Sequence, residues 1–316
     1  MTTVLFERPG EKSFEAILGK VVAEGGAGVI QEARRADGTG APFIVKRARA
    51  GGERLLEYER ASCELVDHPS LVRYLGVSNP EGLGPLVAFE ALGPDPLLAL
   101  SGASMRPQWR DPGTAYYPLP PNRAIELAFD LLLAIEHLHE RGLVHADVKL
   151  SNLLVRVAGE LDATATLRSV ADGRFTGVLI DLGSVRRTAV LEALTKGGAD
   201  LTLIPSITPL YAPPEALFES ASTSGRKVFS PAMDIYSFAL VFYALLTGRI
   251  PYSHVVAAAR LKEVPVVLDV KNSETRGAAS PVDLGTLSRI PLHDVGFEGS
   301  ALSFWPGFHA VTKEIF

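Results

Sequence analysis

Apolar positions in this chain follow two periods, and the change from one to the other divides it. Between residues 14 and 90 they form short β-type runs, Val21-Val22, Val29-Ile30, Phe43-Ile44-Val45 and Leu86-Val87-Ala88-Phe89, separated by glycines and charges. One helix is predicted to interrupt them. Across residues 52 to 66, Leu55, Leu56, Ala61, Cys63, Leu65 and Val66 recur among charged positions at amphipathic spacing. From Asn122 to Arg141 the period is helical, carried by Ile125, Ala128, Leu132, Ile135 and Leu138, and Gly142 supplies a stop. Val178-Leu179-Ile180 returns briefly to strand character. The most apolar run, Phe238 to Leu246, is about half the length needed to span a bilayer.

The richest chemistry lies in Val144-His145-Ala146-Asp147-Val148-Lys149-Leu150-Ser151-Asn152-Leu153-Leu154. Apolar pairs bracket a short polar loop, so a buried frame presents four different groups. An Asp can orient an incoming hydroxyl and accept its proton, and a Lys two residues on can balance phosphate charge. An Asn five residues on offers an amide oxygen to Mg2+, so the set suits phosphoryl transfer. Near the N-terminus, Glu24-Gly25-Gly26-Ala27-Gly28 between the two valine-rich runs predicts a hairpin whose tip lacks bulky side chains. Backbone N–H groups there can approach phosphate oxygens, although a glycine-rich hairpin is by itself more often just a turn. The lone lysine ending Phe43-Ile44-Val45-Lys46 reads, without context, as a solvated strand end.

The central loop resembles the catalytic loop of eukaryotic-like protein kinases, H-R-D-x-K-x-x-N, with Ala146 where that pattern has Arg. Other parts resemble the family in the same order. Asp181-Leu182-Gly183 is similar to the D-F-G metal-binding turn, and Thr208-Pro209-Leu210-Tyr211-Ala212-Pro213-Pro214-Glu215 to the segment ending in A-P-E. Met233-Asp234-Ile235-Tyr236-Ser237 and Leu245 to Tyr252 resemble the start and exit of the family's central helix. The hairpin resembles G-x-G-x-x-G-x-V with Ala23 at the first glycine, Gly25 and Gly28 at the others and Ile30 at the valine. Lys46 then matches the lysine that grips the α- and β-phosphates. Glu53, Glu57, Glu59 and Glu64 compete as its partner; spacing from His68-Pro69-Ser70-Leu71-Val72 selects Glu59, with Glu57 next.

The resemblance covers roughly residues 14 to 252 and implies an α+β, bilobal fold. A small β-rich N-lobe would take residues 1–92, and a larger, mainly helical C-lobe 93–316, with 253–316 unassigned. It implies an ATP-dependent kinase that phosphorylates Ser or Thr of a protein, because Lys149 and Thr208 match the Ser/Thr branch. Catalysis would fall to Asp147, Lys149, Lys46 and Glu59, and Mg2+ binding to Asn152 and Asp181. The nucleotide would meet Gly25, Gly26, Gly28, Ile30, Ile44, Lys46, Leu154 and the hinge Glu90 to Leu92, with Phe89 guarding the adenine slot. Lys46 is expected in an open cleft, and Asp234 bonded to the backbone of the catalytic loop. Ala23 and Ile44 depart from the pattern in ways that leave a pseudokinase scaffold as an alternative. A small-molecule kinase of the aminoglycoside phosphotransferase type is a second one, against which Thr208 to Glu215 speaks.

Composition narrows the partners. Lys+Arg 31 against Asp+Glu 36 gives a net charge of -5, so no nucleic-acid or anionic-membrane surface is indicated. One cysteine excludes an intrachain disulfide, and Met1 to Phe14 lacks the apolar core of a signal peptide, so cytoplasmic residence is expected. The resemblance also implies autophosphorylation as an outcome and leaves room for a regulatory partner. Three segments do not fit a minimal kinase: Ser101 to Pro121 and Arg156 to Thr176 are additional, and Ser253 to Phe316 is expected to hold unplaced closing helices of the large lobe, where the resemblance implies an Arg paired with Glu215, for which Arg289 is chosen.

Overall fold

The computed structural model describes residues 2–25, 28–93, 119–159, 163–196, 204–217, 229–247, 252 and 271. The chain divides into two compact units, one of Met1–Leu92 with Ile180–Val185 and one of Gly93–Leu179 with Arg186–Phe316.

The first unit is built on an antiparallel sheet of β1 (Thr3–Phe6), β2 (Phe14–Gly25), β3 (Gly28–Arg35), β4 (Phe43–Arg47), β5 (Tyr74–Ser78) and β6 (Leu86–Glu90), in the order β1-β2-β3-β4-β6-β5. β1 lies before the first run that the pattern predicts. It pairs with β2 from Thr3↔Ile17 to Phe6↔Phe14, and Glu7 then bridges Val77 on β5 through bonds of 2.9 and 2.8 Å. The two edge strands are thereby tied at one point, which shields part of the strand edge that would invite pairing with another chain. Phe6 is fully buried, stacked on Phe14 and edge-on to Phe43, in a core with Val4, Ala16, Val45, Leu86 and Ala88. Phe43 and Val45 face that core, so by alternation Ile44 and Lys46 lie on the other face.

Helix α1 (Glu53–Cys63) is shorter than the predicted 52 to 66. It buries Leu56, Glu59, Ser62 and Cys63, while Glu53 in its first turn and Arg60 in its last complement the helix dipole.

In the second unit, α2 (Pro121–Glu140) starts with Pro at its first turn and stops before Gly142, whose φ of 65° suits glycine. Its buried face, Ala124, Leu127, Ala128, Leu131, Ala134, Ile135 and Leu138, has the 3.6-residue period. β8 (Leu153–Arg156) and β9 (Thr176–Leu179) form a hairpin, with α3 (Ala163–Ala171) in the connection that the sequence marks as additional. β7 (Leu143–Val144) pairs with β10 (Arg186–Arg187), which leads directly into α4 (Thr188–Thr195). After the short helix α5 (Pro214–Leu217) comes α6 (Ala232–Thr247), buried on almost every side as a central helix is. Val144, Ala146, Leu191, Ala216, Phe229 and Met233 form one apolar cluster that joins the loop after β7 to α4, α5 and α6. Of the segment 101 to 121, residues 119 to 121 are described, and Leu119 donates its N–H to Leu245 O at 3.1 Å.

Candidate active site

Two clusters of charged side chains form, one in each unit. In the first, β-sheet register places Lys46 between Ile30 and Val87. Its Nζ lies 2.6 Å from Glu59 Oε2 and 2.8 Å from Asp181 Oδ1. Glu59 comes from the buried face of α1, whereas Glu57 and Glu64 pair with Arg60 and Glu53 is exposed. Asp181 adopts a left-handed φ of 63°, and fully buried Leu182 anchors the turn that follows.

Only 11% of the Lys46 side chain is exposed, so the expected open cleft is corrected: two carboxylates and the sheet enclose it. Burial alone would lower the ammonium pKa, but the charges of Glu59 and then Asp181 outweigh it and raise it. Glu59 goes the same way for the opposite reason. Its own burial pushes the carboxyl up to about 7 against the pull of Lys46, and Asp181 adds to the push. The donor set suits magnesium triphosphate. Asp181 keeps a third of its side chain exposed, as a hard oxygen donor to Mg2+ must, and Lys46 is a permanently charged, pre-aimed cation.

The hairpin of β2 and β3 pairs Gly25 with Gly28; Gly26 and Ala27 lie outside the described residues. Gly28 has φ 143°, and a Cβ there would run into the carbonyl oxygen of Arg47, so strand packing by itself demands glycine. Ile30, Ile44 and Lys46 share one sheet face, the first two half-buried. The buried carboxylate of Glu90 accepts the Arg73 N–H at 2.8 Å, and the Glu90 N–H donates to Arg73 O at 3.0 Å, which fixes the end of β6. Leu92 is half-buried just beyond.

The second cluster is held from below. Buried Asp234, on the first turn of α6, accepts the N–H groups of His145 and Ala146, each at 2.8 Å, and stands 2.9 Å from His139 Nε2 on α2. These bonds retain Ala146 at φ 67°, a left-handed conformation that costs a non-glycine residue about 1 to 2 kcal/mol. The turn projects Asp147, whose Oδ2 lies 2.5 Å from Lys149 Nζ and whose Oδ1 accepts the Thr208 hydroxyl at 2.6 Å. Lys149 Nζ also donates to Thr208 Oγ1 at 3.0 Å, closing a triangle. Asn152 Nδ2 donates to Asp147 O at 2.9 Å, which turns the amide oxygen to the opposite side, where a hard cation can use it. Leu154 sits half-buried on β8, paired with Val178.

Sequence reasoning missed one residue. Lys271, almost wholly buried, reaches the backbone of Pro209–Ala212, close to Glu215; Arg289 lies outside the described residues. Its signal was a lone cation after Val266-Val267-Leu268-Asp269-Val270, the same kind of pattern that marked Lys46. Among the described residues no helix is long and apolar enough to cross a membrane.

Residues 17–282 match the family model described as the protein kinase domain. Among curated proteins, a probable serine/threonine-protein kinase of Dictyostelium discoideum is 27% identical over 241 residues, 74% of this chain and 15% of that protein. The hormonally up-regulated neu tumor-associated kinase homolog B of Xenopus laevis is 33% identical over 123 residues, 39% of this chain and 15% of its own length. The serine/threonine-protein kinase PEPKR2 of Arabidopsis thaliana is 31% identical over 130 residues, 41% of this chain and 21% of its own. The aligned stretches thus span about a fifth or less of each relative.

Proposed function

We infer the function from a family premise: this chain belongs to the protein kinase domain family, and its fold is the bilobal α+β kinase fold. The reaction we propose is transfer of the γ-phosphoryl group of ATP to a Ser or Thr hydroxyl of a protein. Serine or threonine as acceptor is supported by relatives named serine/threonine-protein kinases and by the engagement of Thr208 with Lys149 and Asp147.

The observation that carries this reading is the triangle of Asp147, Lys149 and Thr208. A carboxylate held by a neighbouring ammonium and a hydroxyl is pre-aimed, so it orients an acceptor hydroxyl and takes its proton without searching rotamers. Lys149, bonded to both Asp147 and Thr208, would balance charge on the transferring group. In the other cluster, Lys46 binds the triphosphate oxygens and Glu59 keeps that lysine in position. Asp181 and Asn152 are the residues that would hold Mg2+, which when bound neutralises phosphate charge. Ile30, Ile44, Leu154 and the Glu90 to Leu92 stretch are proposed to receive the nucleoside, with Gly25, Gly26 and Gly28 near its phosphates. The substrate is a protein of unassigned identity, self-phosphorylation is an expected side reaction, and a regulatory partner and cytoplasmic residence remain part of the proposal.

The test is incubation of the purified chain with γ-labelled ATP, Mg2+ and a generic basic protein, followed by hydrolysis to phosphoamino acids. Labelled phosphoserine or phosphothreonine that vanishes on chelation of Mg2+ is expected. Nucleotide binding without transfer to any protein would instead favour a scaffold.

A further inference from the structure

We propose that Lys271 is a positioning residue of the acceptor site, a buried cation that clamps the segment following Thr208 and so fixes the hydroxyl that Asp147 and Lys149 share. The inference rests on the kinase reading above and adds to it a residue outside the matched motifs.

Lys271 Nζ donates to Pro209 O at 2.9 Å, to Leu210 O at 3.1 Å and to Ala212 O. An ammonium carries three N–H donors, and three carbonyls take them, a tripod that a planar guanidinium cannot copy. The one carbonyl skipped, Tyr211 O, accepts the Ser237 hydroxyl at 2.9 Å from α6. Four consecutive carbonyls are thus held by two side chains. Above them the Tyr211 and Ala212 N–H groups both donate to Thr208 O at 3.0 Å, so the clamped turn ends on Thr208 itself.

The cation is enclosed rather than solvated. Its Nζ lies 5.2 Å from the Tyr236 ring centroid and 4.7 Å from that of Tyr252, within cation–π range of both. Tyr252 holds its place at φ 61°, a conformation costly for an aromatic residue that persists only where surroundings impose it. Glu215 supplies charge without a direct bond. Burial raises its carboxyl pKa while the Lys271 charge lowers it, and buried Oε1 has no hydrogen-bond partner among the described residues. Lys271 therefore directs its donors to the backbone of the platform.

Two measurements on Lys271→Met test the idea. Backbone amide exchange in the peptide spanning residues 206–217 is expected to accelerate by about a hundredfold, because three buried carbonyls lose their donors and the turn opens locally. On the folded fraction, KM for a protein acceptor is expected to rise about tenfold while KM for ATP stays within about twofold, a split that uniform destabilisation would not produce. Lys271→Arg keeps the charge but cannot place three N–H groups on the same three carbonyls, so it should recover little of the acceptor KM, and full recovery would refute the three-bond clamp. Unchanged exchange would refute the clamp whatever the activity. Accelerated exchange with an unchanged acceptor KM would refute the positioning role. A wild-type chain that labels no protein would overturn the kinase reading and the acceptor role with it, while exchange alone would still decide whether the clamp exists.

Discussion

The Thr208 hydroxyl donates to one oxygen of Asp147 at 2.6 Å while Lys149 approaches the other at 2.5 Å, so both ends of the same carboxylate are fixed. Removing the hydroxyl frees one end. Thr208→Ala should lower kcat by about 10- to 100-fold, the equivalent of a hydrogen bond to a charged group worth about 1.5 to 3 kcal/mol. Thr208→Ser keeps the hydroxyl and should retain most turnover. Steady-state kinetics of the three proteins decides: equal loss in both variants would mean that the methyl group matters and the hydroxyl does not.

Lys46 and Glu59 give a prediction about stability as well as turnover. Because Lys46 is enclosed between two carboxylates, Lys46→Met leaves a buried charge uncompensated and should cost about 3 kcal/mol or more in addition to abolishing transfer. Adding Glu59→Leu should restore much of the melting temperature but none of the activity. A single variant that melts like the wild type would show that Glu59 is not buried in solution.

The raised Glu59 pKa makes stability and turnover respond to pH in opposite directions. With a folded value of about 7 above an ordinary carboxylate value of about 4.3, the folded chain takes up a proton that the unfolded chain does not across that window. Stability from this group is therefore greatest below the lower value and is lost as pH rises through the upper one. Turnover should fall on acidification through about 7, because a protonated Glu59 no longer holds Lys46 by charge. Both slopes should shrink in Glu59→Gln, as denaturant titrations and pH–rate profiles would record. An acid limb identical in wild type and variant would remove Glu59 from the account.

Ala146 predicts indifference to phosphate. Where relatives of the resembled pattern place Arg, this chain has a methyl packed with Leu191, Phe229 and Met233, so apolar contact rather than a guanidinium–phosphate pair orders the segment after β10. Phosphatase treatment should leave activity within about twofold, whereas Leu191→Ala should cost about 2 to 5 kcal/mol and lower activity. Loss of activity on dephosphorylation at Thr195, Thr202 or Ser206 would contradict this.

What the sequence disclosed was set by how local each signal is. The polar loop of the candidate site was legible because its groups fall within a few residues, from His145 to Asn152, and the helix 121–140 because its apolar face repeats over five turns' worth of chain. Choosing Glu59 among four glutamates needed family spacing, since amphipathic periodicity alone does not say which acid meets a lysine from another element. β1 escaped because Thr3–Phe6 is four residues long and alternates, with Leu5 outward and Phe6 inward. Lys271 escaped because its partners are main-chain carbonyls some 60 positions away, which carry no side-chain signature. The enclosure of Lys46 was likewise invisible: burial of a strand-end lysine depends on what packs over it.

The most direct measurement is the turnover of Asp147→Asn against wild type, on equal folded concentrations, with ATP, Mg2+ and a protein acceptor. Transfer to Ser or Thr is expected to fall by about 10^2- to 10^4-fold, as loss of a general base requires, while nucleotide binding and melting temperature stay close to those of the wild type. Phosphoryl transfer that continues at the wild-type rate in Asp147→Asn would contradict that expectation.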